Sequence, residues 1–305
     1  MASMRDIKRR KSSVESTQQI TKAMKLVSTV KLQKAKARAE QSAAYFEAIF
    51  NTVNSILAKS GNIDHPYLKA GASDKKAVIM ITSNKGLAGG YNSNIIKMVS
   101  RDSRFTKENT VVYAIGKKGK DAMERLGYEI KKDYSDVIDD PLYNDAMSIQ
   151  KDVLAAFEAG EIGEIYLAYT FFKNTVSHIP TLLKLLPVST ETVSGNEETG
   201  SLEENSEKTA VSVTEEEKDI IPMNFEPEED EALDMIIPKY ITSLLFGAFV
   251  EAVASENGAR MQAMDSATNN AAEMIDHLSL LYNRARQSSI TQELTEIIAG
   301  ADAIN

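Results

Sequence analysis

Residues 3 to about 58 contain neither glycine nor proline, and the first helix breaker is Gly61. The stretch is rich in Ala, Lys, Gln and Glu, so its summed helix propensity is high. At about 1.5 Å per residue such a helix spans roughly 84 Å, too long to be wrapped within a small domain of its own. The other end repeats the pattern. From Glu231 to Asn305 the only proline is Pro238, and the only glycines are Gly247, Gly258 and Gly300. A helix over most of that stretch reaches about 110 Å. Two such helices at opposite ends of one chain predict an antiparallel coiled coil.

The heptad signal is stronger at the C-terminal end. Met264, Ala267, Ala271, Met274, Leu278, Leu281, Ala285 and Ser288 alternate steps of three and four, the spacing of a coiled-coil seam. In the N-terminal helix Ile7, Val14, Thr21, Ser28 and Ala35 recur at steps of seven, a thin and partly polar stripe. Small seam residues allow close approach, and a weakly apolar seam predicts that an enclosing partner supplies part of the rod's stability.

The middle of the chain reads differently. The apolar runs 77–82, 110–115, 165–170 and 177–186 are strand candidates, with helical stretches at 92–100, 117–126 and 144–158 between them. Alternating buried strands and helices predict an α/β domain, Rossmann-like, with a largely parallel sheet whose edges can run antiparallel. The expected division is 1–60 for the N-terminal coiled-coil helix, 70–190 for the α/β domain, 191–231 for a flexible acidic insertion, and 232–305 for the C-terminal coiled-coil helix.

Charge separates these parts. Residues 1–40 carry eleven Lys/Arg against Asp6, Glu15 and Glu40, a net of +8, whereas 191–231 carry fifteen Asp/Glu against Lys208 and Lys218, a net of −13. A basic arm and an acidic segment on one chain point to distinct roles. With no cysteine there is no disulfide and no thiol nucleophile. His65, His178 and His277 are far apart in sequence, so no shared metal site is expected. No unbroken run of 18 apolar residues occurs, so no transmembrane helix is predicted. The start has charges but no apolar stretch after them, so no secretory signal is expected.

The most conspicuous motif is Thr82-Ser-Asn-Lys-Gly-Leu-Ala-Gly-Gly-Tyr-Asn-Ser-Asn94, which follows a strand and leads into a helix. A phosphate loop sits in such a place. The spacing matches neither GxGxxG nor GxxxxGK[ST], and Lys85 precedes the glycines. The favoured reading is a tight turn, with Gly86, Gly89 and Gly90 giving the backbone room and Asn92 or Ser93 capping the helix. Ile115-Gly-Lys-Lys-Gly-Lys-Asp121 reads as a helix start. The motifs of the serine hydrolases and zinc proteases are absent. Glu293 and Glu296, about one helical turn apart, are the usual solvated pair rather than an acid–base couple.

The two ends also carry a resemblance. The run from Asp6 to Val27 (DIKRRKSSVESTQQITKAMKLV) is similar to the opening of the gamma subunit of rotary F-type ATP synthases. Leu281 to Gly300 (LYNRARQSSITQELTEIIAG) resembles that family's end, and Gly86–Asn94 resembles a third motif. The resemblance covers nearly the whole chain in order. It implies a central rotor shaft without an active site or cofactor of its own, with the end helices inside a ring of alpha and beta subunits and the α/β domain on the epsilon subunit and the membrane c-ring. It further implies that Met24 and Lys25 meet the beta-subunit lever, and that Arg286, Gln287, Thr291, Glu293, Thr295 and Glu296 take part in coupling and catch-loop contacts. Neither nucleic-acid binding nor direct membrane insertion is expected, and the place of work is the cytoplasmic face of a bacterial membrane. Two other classes stay open on the residues alone. A coiled-coil scaffold binding nucleic acid through the basic helix would show salt-sensitive binding; a nucleotide-dependent α/β enzyme would bind nucleotide stoichiometrically.

Overall fold

The structure, a computed structural model, describes residues 4–59, 65–71, 73–188 and 229–302. The acidic stretch falls outside the described residues as far as 228. The chain divides into two compact units, residues 1–30 with 260–305, and residues 31–259.

Helix α1 runs Met4–Lys59 without a break, as its composition requires. In the unit 31–259 a five-stranded sheet follows: β1 Lys76–Ile81, β2 Thr110–Ile115, β3 Glu129–Asp133, β4 Glu164–Phe172 and β5 His178–Leu186. Its order is β3-β2-β1-β4-β5. The first four strands are parallel, and β5 returns antiparallel to β4. Helices α2 (Tyr91–Arg101), α3 (Lys117–Leu126) and α4 (Tyr143–Glu158) connect them, and α5 covers Glu229–Asp302. The largely parallel sheet expected from alternating strands and helices is therefore present, with its antiparallel strand at one edge.

Alternation along β1 shows how the core is split. Val78 and Met80 point to one face, where Ile95 and Val99 of α2 and Met123 of α3 cover them. Ala77, Ile79 and Ile81 point to the other. There α4 supplies Ile149, Val153 and Phe157, and α5 supplies Leu233, Ile237, Ile241, Leu245 and Phe249. Burying those five α5 side chains contributes on the order of 10 kcal/mol, at about 1.5–3 kcal/mol each.

That burial bears on the expectation that no helix spans a membrane. No unbroken apolar run marks a membrane span, yet an 18-residue window within α5 reaches a mean hydropathy of 1.5, long and apolar enough to cross a bilayer. Its apolarity has a local cause, since 56% of the window is buried inside the protein against the sheet. The strand β3 was missed from sequence. Glu-Ile-Lys-Lys-Asp has only Ile130 half-buried, and Lys131 and Lys132 ion-pair with Glu161 and Asp152 at 3.0 and 2.5 Å. A charged edge strand carries no alternation signal, and its lysines keep that edge from pairing with other chains.

Candidate partner interface

In the unit of residues 1–30 and 260–305, α1 and α5 run antiparallel. The hydroxyl oxygens of Thr21 and Thr268 lie 2.8 Å apart. One turn further on α1, and one turn back on α5, Lys25 Nζ lies 2.6 Å from Asp265 Oδ1. On α1 the buried and half-buried positions include Ile7, Lys11, Val14, Gln18, Thr21, Lys25 and Ser28, at alternating steps of four and three. The stripe expected from sequence is thus one half of the seam; the other half is polar.

On α5 the corresponding positions are Met264, Thr268, Ala271, Ile275, Leu278, Tyr282, Ala285 and Ser289. The sequence reading placed Met264, Ala271, Leu278 and Ala285 correctly. Its other half, Ala267, Met274, Leu281 and Ser288, is displaced by one residue. Ala267 stays half-buried, but Met274 is 56% exposed and Leu281 36%. Choosing the most apolar residue at each step assumes that apolar residues go inside. Here close approach at Thr21 and Ser28 selects small and polar partners instead.

Several large apolar side chains are left outside. Ile20, Leu26, Val27 and Val30 on α1, and Met274, Leu280, Ile290, Leu294, Ile297 and Ile298 on α5, are all exposed. The last four fall at i, i+4, i+7 and i+8, one stripe of a helix. By the Thr21–Thr268 register, Met4 lies opposite residue 285 of α5, so this stripe extends past the described part of α1. Contiguous exposed apolar surface on a folded protein marks a place where another protein sits.

The residues singled out by resemblance fall into two groups on this unit. Met24 is half-buried beside the seam, and Lys25 is half-buried within it, already engaged with Asp265. Arg286, Gln287, Thr291, Glu293, Thr295 and Glu296 are exposed. Thr291 Oγ1 donates to the Gln287 carbonyl at 2.9 Å, and Thr295 Oγ1 to that of Thr291 at 2.8 Å, so these two hydroxyls serve their own helix. Glu293 and Glu296 accept from Ser289 and Gln292 one turn earlier, at 3.4 and 2.9 Å. Measured along α5 from the level of Lys25, the second group begins about 32 Å away, at about 1.5 Å per residue. The structure does not bring the two groups together. Asp265 was missed from sequence; its signal is an acidic residue at the level of a seam lysine, legible only once the register is known.

The glycine-rich loop is a turn within the unit 31–259. Asn92 Oδ1 accepts from the Ser83 backbone N–H at 2.9 Å and so reaches back to the strand rather than capping α2. The residue preceding α2 is Gly90, which provides no side-chain cap. The expected cap at Asn92 or Ser93 is corrected accordingly: Ser93 donates to the Gly90 carbonyl at 3.0 Å, and the loop is secured by Asn92. Ala88 and Tyr91 pack on Ala259 of α5. The second glycine turn does start a helix, α3, as expected. Among the described residues no group of three or more His, Asp or Glu side chains converges as a metal site would require.

Two long end helices with a mixed, partly polar seam and several large apolar residues exposed, together with a doubly wound sheet, define a coiled-coil subunit of a larger assembly. The comparisons with known proteins agree. The family model described as ATP synthase matches residues 3–304. The ATP synthase gamma chain of Lachnoclostridium phytofermentans is 64% identical over 305 residues, covering all of both chains. The gamma chain of Acetobacterium woodii, described as sodium ion specific, is 41% identical, covering 99% of each. A chain in the cryo-EM structure of the Euglena gracilis mitochondrial ATP synthase (OSCP, F1 and c-ring) superposes with a TM-score of 0.66 at 17% identity, covering 99% of this chain and 94% of that one. At that identity the likeness establishes the fold. The chain belongs to the ATP synthase gamma chain family, and is thus a subunit of a membrane-associated complex.

Proposed function

We propose that the chain is the central rotor shaft of an F-type ATP synthase, coupling ion flow through a membrane ring of c subunits to ATP synthesis or hydrolysis in a head of alpha and beta subunits. The observation that carries this reading is the inverted seam. A coiled coil that hides Thr21, Ser28 and Ala271 beside Met264 and Leu278, while leaving Ile20, Val27 and Met274 exposed, is only partly stabilised by its own interior and stands to gain from a surrounding sleeve. Small buried residues keep the rod slim, and its two non-identical helices present a different surface in each direction. Three equivalent subunits around such a rod meet different faces, and each orientation biases one nucleotide site differently.

In this reading Met24 and Lys25 meet the lever of the beta subunit, and Arg286, Gln287, Thr291, Glu293, Thr295 and Glu296 form the upper contact with its catch loop. The α/β domain stands on the epsilon subunit and the c-ring, and the chain contributes no active site, binds no nucleic acid and inserts no helix in the bilayer. It works peripherally, at the cytoplasmic face of a bacterial membrane. ATP hydrolysis by the chain alone, by alpha with beta, and by the three combined tests the reading. No turnover by the chain and faster, sustained turnover by the combination is expected. Turnover by the chain alone, or no effect on alpha with beta, sinks it.

A further inference from the structure

Within the unit 31–259, α5 and α1 are held to the sheet in different ways. α5 lies in the core through Leu233 to Ala252. α1 is anchored at its far end by Val53 and Ile56, and by Phe46, whose ring lies 6.2 Å from that of Phe246. Between Lys31 and Arg38 the helix buries Leu32 and Ala35, but one side of it leaves a gap. A cavity of about 260 Å³ separates α1 from α5 and the loop after β3, lined by Lys31, Ala35, Ile138, Val250 and Val253 among others. Across its mouth Arg38 Nη1 lies 2.7 Å and Lys34 Nζ 3.8 Å from Asp140 Oδ1. The guanidinium of Arg38 holds the Asp140 carboxyl below the usual carboxylate range.

The loop bearing Asp140 is tied to the sheet on its other side. Asn84, just past β1, donates through Nδ2 to the Ser135 carbonyl at 2.8 Å and to Asp139 Oδ2 at 3.2 Å. Its Oδ1 accepts from the Lys117 N–H, at the start of α3, at 3.0 Å. Ser135 N–H in turn donates to Asp133 Oδ1 of β3 at 2.9 Å. The loops that follow β1, β2 and β3 are thereby joined through one carboxamide at the carboxyl edge of the sheet. That edge is where open α/β sheets usually receive ligands. Here the adjoining carboxylates Asp139 and Asp140 face the sheet loops and α1 respectively.

We propose that Asp139 and Asp140 form a two-sided clasp that fixes α1 to the carboxyl edge of the sheet, with Arg38–Asp140 as the pair that carries twist between the end helix and the α/β domain. The proposal rests, for its torque role, on the rotor reading. The cavity gives it force: on the side of α1 that faces the loop after β3 the ion pairs span the gap beside Ala35, and when they open α1 has room to shift. Arg38 and Asp140 are positioning residues.

The test is a charge swap in the full-length chain: Arg38→Asp, Asp140→Arg and the double variant, with Asp140→Asn as the conservative control. Amide hydrogen exchange over residues 31–42 and 134–142 is read first. Each single reversal is expected to speed exchange about two- to fivefold, the range for half-exposed ion pairs, with the double variant returning to within about twofold of the unaltered chain. Unchanged exchange in the singles, or no recovery in the double, overturns the clasp. Assembled with the alpha and beta subunits and the membrane ring, the singles are expected to hydrolyse ATP while pumping fewer ions per ATP, and the double to recover. A restored exchange pattern with pumping unaffected throughout overturns the torque role. Failure of the unaltered chain to stimulate alpha with beta instead strikes the rotor reading.

Discussion

Thr82 stands at the end of β1 with its hydroxyl shared between two glycines of the next connection. Oγ1 donates to the Gly116 carbonyl at 3.1 Å and accepts from the Gly119 N–H at 2.9 Å. A Cβ at Gly116 would fall 2.1 Å from the Thr82 carbonyl oxygen, on a backbone with φ of 102°. Gly116→Ala is therefore expected to cost about 2–4 kcal/mol, read by denaturant unfolding; a loss under about 0.5 kcal/mol would mean that β1 and α3 are less tightly apposed. Glu251 is a second liability of the core, for the opposite reason. Its Oε2 is buried without a hydrogen-bond partner among the described residues, and burial pushes the carboxyl up to about 8 from 4.5. The folded protein keeps the group neutral while the unfolded chain ionises it. Stability from this site is complete below about pH 4.5 and declines as pH rises toward about 8, by a few kcal/mol in all. Glu251→Gln is expected to flatten that part of the stability–pH profile and to raise stability at pH 8. A profile identical to that of the unaltered chain would refute the buried neutral acid.

At the scale of elements, the seam separates two populations of apolar residues that look alike in sequence. Leu278→Ala removes a side chain that is 8% exposed and is expected to destabilise the coiled-coil unit by about 2–4 kcal/mol. Met274→Ala, four residues earlier, is expected to change it by less than about 0.5 kcal/mol. Thermal unfolding followed by helicity checks both, and equal effects would restore the seam suggested by hydrophobicity. Much of the fold was legible without coordinates. A stretch free of Gly and Pro gave α1, one nearly free of them gave α5, and buried strands such as Thr110–Ile115 announced themselves by apolar composition. Illegible elements share one cause, in that tertiary partners rather than local pattern decide them. β3 is charged because it is an edge, and Thr268 enters the seam because Thr21 is opposite. For the interface, motif resemblance located two groups of residues, but not that Lys25 is engaged by Asp265, nor that Ile297 and Ile298 stand exposed beside the second group.

At the scale of the molecule, surface chemistry and stability are separable in the coiled-coil unit. Ile290, Leu294, Ile297 and Ile298 contribute nothing to its interior, so replacing both Ile297 and Ile298 by Asp is expected to leave its melting temperature within about 2 °C. The same change is expected to lower the stimulation of alpha-with-beta hydrolysis several-fold. Loss of melting temperature instead would place these residues inside the fold. The α/β domain behaves differently, because one of its layers comes from the far end of the chain. Ile79 of β1 and Phe249 of α5 belong to one core cluster although 170 positions separate them. A ribosome that has released every strand has still delivered a sheet with one face partly bare, since α4, with Ile56, Tyr67 and Ile138, covers only part of it until α5 emerges. Nascent chains halted before residue 229 are thus expected to be cut by protease within the sheet and bound by chaperones. Chains halted only after α5 is free of the exit tunnel are expected to resist, so the last helix made decides when the first strand is safe.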